Sequence, residues 1–231
     1  MTLSSSFIRL TVILMLTMVV PSHAGTVDPY EKINRKIFVF NEVLDKWLVR
    51  PSAKVYDWIT PDLVDRGVTN FFDNLGELSN VVNSGLQGDL RQSGSSLGRL
   101  VINSTVGIGG LFDVATDWGI DDRNEDFGQT LAVWGVNSGP YIVLPMLGGL
   151  YLRDGVAIVP DTYLSPLGQV VDVRTRNTLR ALKLLDMRAD LLDAERLVSG
   201  DRYTFIREIY MQQREVSIAN GQVEDDFGDD F

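Results

Sequence analysis

Ser96 stands in a pattern that could do covalent chemistry. The run GSSLG at 94–98 fits G-x-S-x-G, the turn that presents the nucleophilic serine of lipases and esterases. Such a serine needs a strand before it and a histidine to take its proton. The preceding residues, QGDLRQS, are typical of a helix start, and the single histidine, His23, lies in a predicted signal peptide at 1–24. We therefore expect the two glycines to form a strip for close helix packing.

A second glycine-rich run, GIGGLF at 107–112, begins like a dinucleotide-binding loop. Phenylalanine replaces the third glycine, and the segment before it is predicted to be helical. Without cysteine, and without histidine after position 23, zinc is disfavoured. DDRNED at 121–126 and DDFGDD at 225–230 lack the spacing of a calcium loop, so we expect a solvated turn and a solvated tail. The sequence predicts no cofactor, no metal and no enzymatic activity.

The two ends of the chain indicate its compartment. Residues 1–24 have a basic residue, a short apolar run and small residues before Gly25, as in a secretory signal peptide. The apolar run is too short to span a bilayer. We expect a single domain at 25–220 and a disordered acidic tail at 221–231. A net charge of −10 disfavours nucleic acid as a partner. We expect a periplasmic or outer-membrane protein.

Helical periodicity dominates the elements that must position these residues. The run DPYE at 28–31 predicts a helix start with Asp28 as N-cap, and this helix should end before Pro51. TPD at 60–62 predicts a second start. Further helices are predicted at 89–103, 173–198 and 201–216. No series of strands is recognisable, so the predicted fold class is all-α.

One long segment carries no charge. FGQTLAVWGVNSGPYIVLPMLGGLYL at 127–152 lacks charged side chains, although 23% of the chain is charged. Pro140, Pro145 and several glycines exclude a simple spanning helix. The segment is either a buried core hairpin or a set of short helical pieces lying in a membrane leaflet. In the second case its membrane-contacting residues, which include the aromatics typical of an interface, would be Trp134, Tyr141, Leu144, Pro145 and Tyr151.

Several segments resemble the MlaA/VacJ family of outer-membrane phospholipid-transport proteins. The first is DPYEKINRKIFVFNEVLDKWLVRP at 28–51. The more specific ones are LGRLVINSTVGIGGLFDVA at 97–115 and FGQTLAVWGVNSGPYIVLPMLGGLYLRD at 127–154. The likeness continues through TRNTLRALKLLDMRADLLDAE and YTFIREIYMQQREVSIANG, and covers nearly all of 28–221.

The resemblance implies a ring-like bundle of amphipathic helices, seated in a membrane leaflet around a central amphipathic channel. It implies three partners: phospholipid, a trimeric outer-membrane porin and a soluble periplasmic lipid carrier. Lipid misplaced in the outer leaflet would pass to the carrier without catalysis. On this view 127–152 lies in the leaflet. A glycine-rich turn suits a channel mouth, since few side chains obstruct it; the candidates are Gly107, Ile108, Gly109, Gly110, Leu111 and Phe112.

One departure from the family pattern concerns anchoring. Members usually carry an acylated cysteine as their first mature residue, whereas this chain has no cysteine and would begin at Gly25. We therefore expect a protein on the periplasmic side of the outer membrane without an acyl chain. Two alternatives remain open: a soluble periplasmic lipid-binding or scaffold protein, and a lipid hydrolase that works without histidine.

Overall fold

A computed structural model describes residues 28–195, 198 and 200–220. The predicted signal peptide at 1–24 and the acidic tail at 221–231 lie outside these residues. The elements are α1 (Glu31–Leu44), a π-helical turn (Asp45–Val49), α2 (Arg50–Ile59), α3 (Asp62–Gln87), α4 (Leu90–Thr105), α5 (Val114–Asp117), α6 (Phe127–Val133), β1 (Tyr141–Leu144), β2 (Gly148–Tyr151), α7 (Leu152–Leu164), α8 (Pro166–Gln169), α9 (Val173–Ala194) and α10 (Arg202–Ile218). The predicted all-α class is confirmed, since the strands form only one short hairpin.

The first helix does not end before Pro51, and this prediction is wrong. Helix α1, the π-turn and α2 follow one another without a break. Pro51 stands at the start of α2, where the missing backbone N–H costs least. Asp28 is not the N-cap either, because α1 begins after Tyr30. The Asp28 carboxylate instead accepts hydrogen bonds from Asn34 and Tyr203, and so joins the start of the described chain to α10.

Three other helices begin at an aspartate that caps them. The Asp89 carboxylate accepts from the Gln92 amide at 2.9 Å, and Asp172 and Asp201 cap α9 and α10 in the same manner. Helix α3 ends at Gly88, whose φ of 87° belongs to the left-handed region that glycine favours. Helix α9 ends at Ala194, short of its predicted end at 198.

The uncharged segment holds both helix α6 and a β-hairpin, so each of the two predicted alternatives describes part of it. Strand β1 pairs antiparallel with β2, with Tyr141 opposite Tyr151 and Leu144 opposite Gly148. Alternate residues of β1 face inward, as Tyr141 and Val143 are buried. Pro140 and Pro145 lie just outside β1, so neither removes an N–H from the ladder.

The elements contact one another in a closed cycle. Helix α1 packs on β1, β2 on α7, α7 on α8, α8 on α9, and α9 on α2, which returns to α1 through the π-turn. Helix α3 packs against α4, α6, α7, α8 and α9. None of the helices in the described ranges combines the length and the apolar composition needed to cross a bilayer.

Candidate functional site

Helices α3 and α4 bury polar side chains and turn apolar ones outward. The buried polar residues are Asn74, Glu77, Asn80, Asn83 and Ser84 on α3, and Gln92, Ser96, Arg99 and Asn103 on α4. The exposed apolar residues on the same helices include Leu63, Val64, Leu78, Leu86, Leu90, Leu97 and Val101. This distribution reverses the pattern of a protein surrounded by water. An apolar exterior this extensive marks an interaction with another apolar surface.

A buried ion pair lies at the centre of this polar interior. The Arg99 Nε donates to Glu77 Oε1 at 2.5 Å, and their side chains are 3% and 2% exposed. Burial raises the pKa of Glu77, while hydrogen bonds from Arg99 and Asn80 oppose that rise. The Arg99 guanidinium also donates to the Ile120 carbonyl and to Asp113. One arginine therefore ties α3, α4 and the segment after the glycine-rich turn together.

We call the residues 107–112 the glycine turn. A Cβ added to Gly107 would lie 2.2 Å from the Phe112 carbonyl oxygen, and one on Gly110 would lie 2.6 Å from Asn74 Nδ2. These two glycines are required by close packing against α4 and α3. Gly109, with φ of 72°, has open space around it. The glycine turn is a fixed structure that presents three exposed apolar side chains: Ile108, Leu111 and Phe112.

The acidic run at 121–126 is not the fully solvated turn that the sequence predicted. Glu125 is 5% exposed, accepts a hydrogen bond from Gln87, and has its pKa raised by burial. Asp126 forms a two-pronged pair with Arg214 of α10, at 2.5 and 2.7 Å, and this pairing lowers its pKa against the effect of burial. Asp126 thus caps α6 and pairs with α10 while its side chain remains 39% exposed, and Glu125 is buried against α3.

Two asparagines of α1 hold the hairpin by its backbone. Asn34 Nδ2 donates to the Tyr141 carbonyl at 3.0 Å, and Asn34 Oδ1 accepts from the Val143 amide at 2.9 Å. Asn41 repeats the pattern with the Leu144 carbonyl and the Met146 amide, at 2.9 and 2.8 Å. The asparagines are seven residues apart, so they lie on one face of the helix. Their side chains act as a third strand along β1 and fix its register.

The residues predicted to contact membrane separate into exposed and buried groups. Trp134 is 53% exposed, and its indole N–H donates to the Leu86 carbonyl. Tyr141 is 2% exposed and lies in the core, while Leu144 and Tyr151 are half-buried. Pro145 is exposed at the hairpin tip. Sequence reasoning missed the tip residues Met146 and Leu147, which are 76% and 63% exposed, and the exposed Trp47, Trp58 and Trp118.

The GSSLG run has no role as a nucleophilic turn or as a packing strip. Ser96 lies inside α4, is fully buried and accepts a long hydrogen bond from Gln92. The prediction of close helix packing is also wrong, because no atom of the described residues comes within 4 Å of a Cβ placed on Gly94 or Gly98, apart from α4 and the adjacent residues. No cluster of three or more His, Cys, Asp or Glu residues suited to a metal ion occurs in the described ranges.

A groove lies between α3, α7 and α8. It has a volume of about 500 Å³ and is lined by Leu78, Val82, Tyr163, Leu164, Pro166, Gln169 and Val170. Apart from Gln169 and the Tyr163 hydroxyl, these side chains are apolar. We call it the apolar groove; its volume falls in the range of about 300–1,000 Å³ that small-molecule sites occupy.

The fold and these surfaces define an all-α protein in which α3 and α4 have a polar interior and an apolar exterior, beside an apolar groove. Comparison with known proteins names its family: the chain matches the MlaA lipoprotein family over residues 26–217, and it belongs to that family. It is 36% identical over 206 residues to the intermembrane phospholipid transport system lipoprotein MlaA of Escherichia coli, covering 85% of this chain and 80% of that protein. An uncharacterized protein of Rickettsia bellii is 40% identical over 195 residues, covering 83% and 76% of the two chains.

A solved structure shares the fold. It was described as the structural basis for maintenance of bacterial outer membrane lipid asymmetry. The two chains superpose with a TM-score of 0.74 at 34% identity, over 83% of this chain and 98% of the other.

Proposed function

We propose that this protein serves in outer-membrane phospholipid transport, moving misplaced phospholipid from the outer leaflet to a soluble periplasmic carrier. The observation that carries the proposal is the reversed polarity of α3 and α4 in a member of the MlaA lipoprotein family. An apolar exterior stabilises the protein among acyl chains, while the buried ion pair and amides keep the helices together without a hydrophobic interior. The transport involves no catalysis.

The surface proposed to contact the leaflet, which we call the membrane seat, includes the exposed part of 127–152. Trp134, Met146 and Leu147 offer large apolar surface at and near the hairpin tip. Trp47, Trp58 and Trp118 are the amphipathic aromatics that settle at a membrane–water boundary. Tyr141, being buried, contributes to the core and not to the seat.

The glycine turn is proposed as the mouth of a channel inside the closed cycle of helices. Support comes from the packing of Gly107 and Gly110, which holds the turn in one conformation, and from the exposed Ile108, Leu111 and Phe112. These side chains give an acyl chain an apolar surface to slide across. A trimeric porin and a soluble lipid carrier are the proposed partners, and the protein is proposed to sit on the periplasmic side without an acyl chain.

Site-directed labelling tests the membrane seat. The chain has no native cysteine, so single-cysteine variants report one position each. In outer-membrane vesicles, Met146→Cys and Leu147→Cys should react with a lipid-soluble probe and resist a water-soluble maleimide. The matched control is Asn177→Cys, an exposed position on α9 that should react with the maleimide. Val143→Cys, which is buried, should resist both probes in the folded protein.

Maleimide labelling of the tip positions at the rate of Asn177→Cys would overturn the seat and favour the soluble lipid-binding alternative. A deletion strain should accumulate phospholipid in the outer leaflet, and the full-length gene should reverse this. If the deletion leaves the outer leaflet unchanged, the transport proposal fails. Ser96→Ala should restore transport as well as the parent does; loss of transport with normal expression would favour the hydrolase.

A further inference from the structure

The first half of α9 is basic in an otherwise acidic protein. Between Val173 and Leu185 the sequence holds Arg174, Arg176, Arg180 and Lys183 and no acid, whereas the chain carries a net charge of −10. Arg176, Arg180 and Lys183 are spaced i, i+4 and i+7, so they share one face of the helix. We call these three residues the cation row.

Within helix α9 itself, the cation row is unfavourable. Like charges four apart destabilise a helix, and cations near its N-terminus oppose the helix dipole. The first turn of α9 contains no acid to compensate. Within the described ranges, neither Arg176 nor Arg180 forms an ion pair with a carboxylate. Asp172, the nearest acid in sequence, caps the helix through the Thr175 amide.

The row borders the apolar groove. Arg176 Nη1 donates to the carbonyl of Val170, a groove residue, at 3.3 Å. Lys183 Nζ lies 5.9 Å from the ring centre of Phe72 on α3, the helix that supplies Leu78 and Val82 to the groove. Arg176 therefore contacts the edge of the groove and Lys183 contacts α3, while Arg180 is exposed on the same face of α9.

We infer that the apolar groove and the cation row form a binding site for a phosphate-bearing lipid. The groove takes acyl chain, and Arg176, with Arg180 beside it, binds the phosphate. Both arginines lack a carboxylate partner in the described ranges, so a phosphate oxygen can accept charge-assisted hydrogen bonds from the exposed Arg180 and from the partly exposed Arg176. This inference rests on the proposed function and names the part of the protein that holds the head group.

Lipid binding to the purified full-length protein in non-ionic detergent tests the site. Phosphatidylglycerol and diacylglycerol with identical acyl chains, and inorganic phosphate, would each compete with a fluorescent phospholipid. We expect the wild-type protein to bind phosphatidylglycerol about tenfold more tightly than diacylglycerol. A difference of this size is the effect of one good charge-assisted contact, about tenfold. Arg176→Gln should abolish this preference, and Arg180→Gln should reduce it. Val82→Trp should weaken the binding of both lipids, because the indole fills the groove.

Arg91→Gln is the matched control. Arg91 is an exposed arginine on α4, forms no ion pair within the described ranges, and does not line the groove. Its loss should leave the preference unchanged. The site is overturned if Arg176→Gln and Arg180→Gln, both folded by circular dichroism, retain the wild-type preference. It is equally overturned if inorganic phosphate competes as well as the lipid, since the groove would then be irrelevant.

The same variants separate this inference from the proposed function. If wild type restores outer-leaflet asymmetry and Arg176→Gln does so equally, with unchanged lipid preference, the site fails and the transport function stands. If wild type itself does not restore asymmetry, the transport function fails.

Discussion

Two regions of the molecule reach stability by opposite routes. The polar block comprises α3, α4 and residues 113–125, and its interior is built from an ion pair and side-chain amides. The hairpin core comprises Tyr141, Val143, Tyr203 and Met211, with Tyr151 and Tyr210 packed around it. The first has its apolar surface outside, and the second has it inside.

The difference shows what each region is built to contact. Burial of apolar area stabilises a region strongly only if water surrounds it, as we expect for the hairpin core beside α10. The polar block gains little from that effect if lipid surrounds it, so directional hydrogen bonds hold it together. Each region should therefore respond to a different class of substitution.

The largest effect is expected from breaking the ion pair of the polar block. Arg99→Met leaves the Glu77 carboxylate buried and uncompensated, which should cost about 3–5 kcal/mol. Urea unfolding in detergent, followed by tryptophan fluorescence, would measure the loss. The double variant Glu77→Leu, Arg99→Met should recover part of it, since no unpaired charge remains.

Arg35→Met is the control for that experiment. Arg35 pairs with Asp201 at 2.6 Å on the surface, where their side chains are 39% and 49% exposed. Arg35→Met should lower the free energy of unfolding far less than Arg99→Met, because solvent screens the surface pair. If Arg99→Met and Arg35→Met lowered the free energy of unfolding equally, the buried pair of the polar block would be no more important to stability than a surface pair.

A smaller effect is expected where α1 holds the hairpin core. Asn34→Ala removes the hydrogen-bond partner of the Tyr141 carbonyl and of the Val143 amide. Leaving these buried groups unpaired should lower the free energy of unfolding by about 2–3 kcal/mol. Hydrogen exchange should show the Val143 amide losing protection before the helices do. Asn177→Ala, at an exposed position on α9, should change neither quantity.

A pH-dependent effect is expected at the junction of the two regions. Asp161 accepts a hydrogen bond from the Phe127 amide at 2.9 Å, and burial raises its pKa to about 6. Because the ordinary carboxyl pKa is near 4, the folded state holds the proton more tightly than the unfolded state. The ionised group therefore destabilises the fold above pH 6, and this cost disappears as the pH falls below 4.

Asp161→Asn should consequently raise stability at pH 7.5, by about 1 kcal/mol once solvent screening is allowed for. The amide oxygen still accepts from Phe127. Thermal unfolding at pH 7.5 and pH 4 would measure the difference, which should vanish at the lower value. A stability loss at pH 7.5 would mean that the carboxylate charge itself is needed.

The smallest effect is expected on the exposed side of the polar block. Gly94→Ala should stabilise α4 by up to about 1 kcal/mol, since nothing approaches the added Cβ. Gly128→Ala is the contrasting change in α6, where the Cβ would lie 2.4 Å from Arg214 Nη2 and 2.5 Å from Asp154 Oδ1. In thermal denaturation, the melting temperature should rise for Gly94→Ala and fall for Gly128→Ala.

Local chemistry made the helix starts predictable, whereas long-range contacts did not show in the sequence. The helix that begins at about residue 89 could be predicted because apolar residues recur at helical spacing after it. The hairpin could not be predicted with the same assurance, because its register depends on Asn34 and Asn41, more than a hundred positions away. Apolar periodicity in α3 identified the helix but not which face lies inside.

A signal for the polar interior was present. Asn74, Glu77, Asn80 and Asn83 recur every three residues along α3, which marks a polar stripe as clearly as Leu75 and its neighbours mark an apolar one. In water the apolar stripe would face inward, and here the polar one does. The choice depends on the surrounding solvent, which periodicity does not encode.

The π-turn at Asp45–Val49 sets the rotational phase between the two halves of the long first helix. A turn of this kind holds one residue more than an α-helical turn, so everything after it is rotated by about 100° relative to an uninterrupted helix. Before the turn, Asn34 and Asn41 must face β1; after it, the Tyr56 hydroxyl must donate to Asp186 on α9. Deleting the exposed Trp47 would regularise the helix and leave every other side chain chemically unchanged. It would nevertheless rotate α2 relative to α1. Either the asparagines of α1 could then contact β1, or the Tyr56 hydroxyl could contact Asp186, but not both, and the cycle of elements would not close.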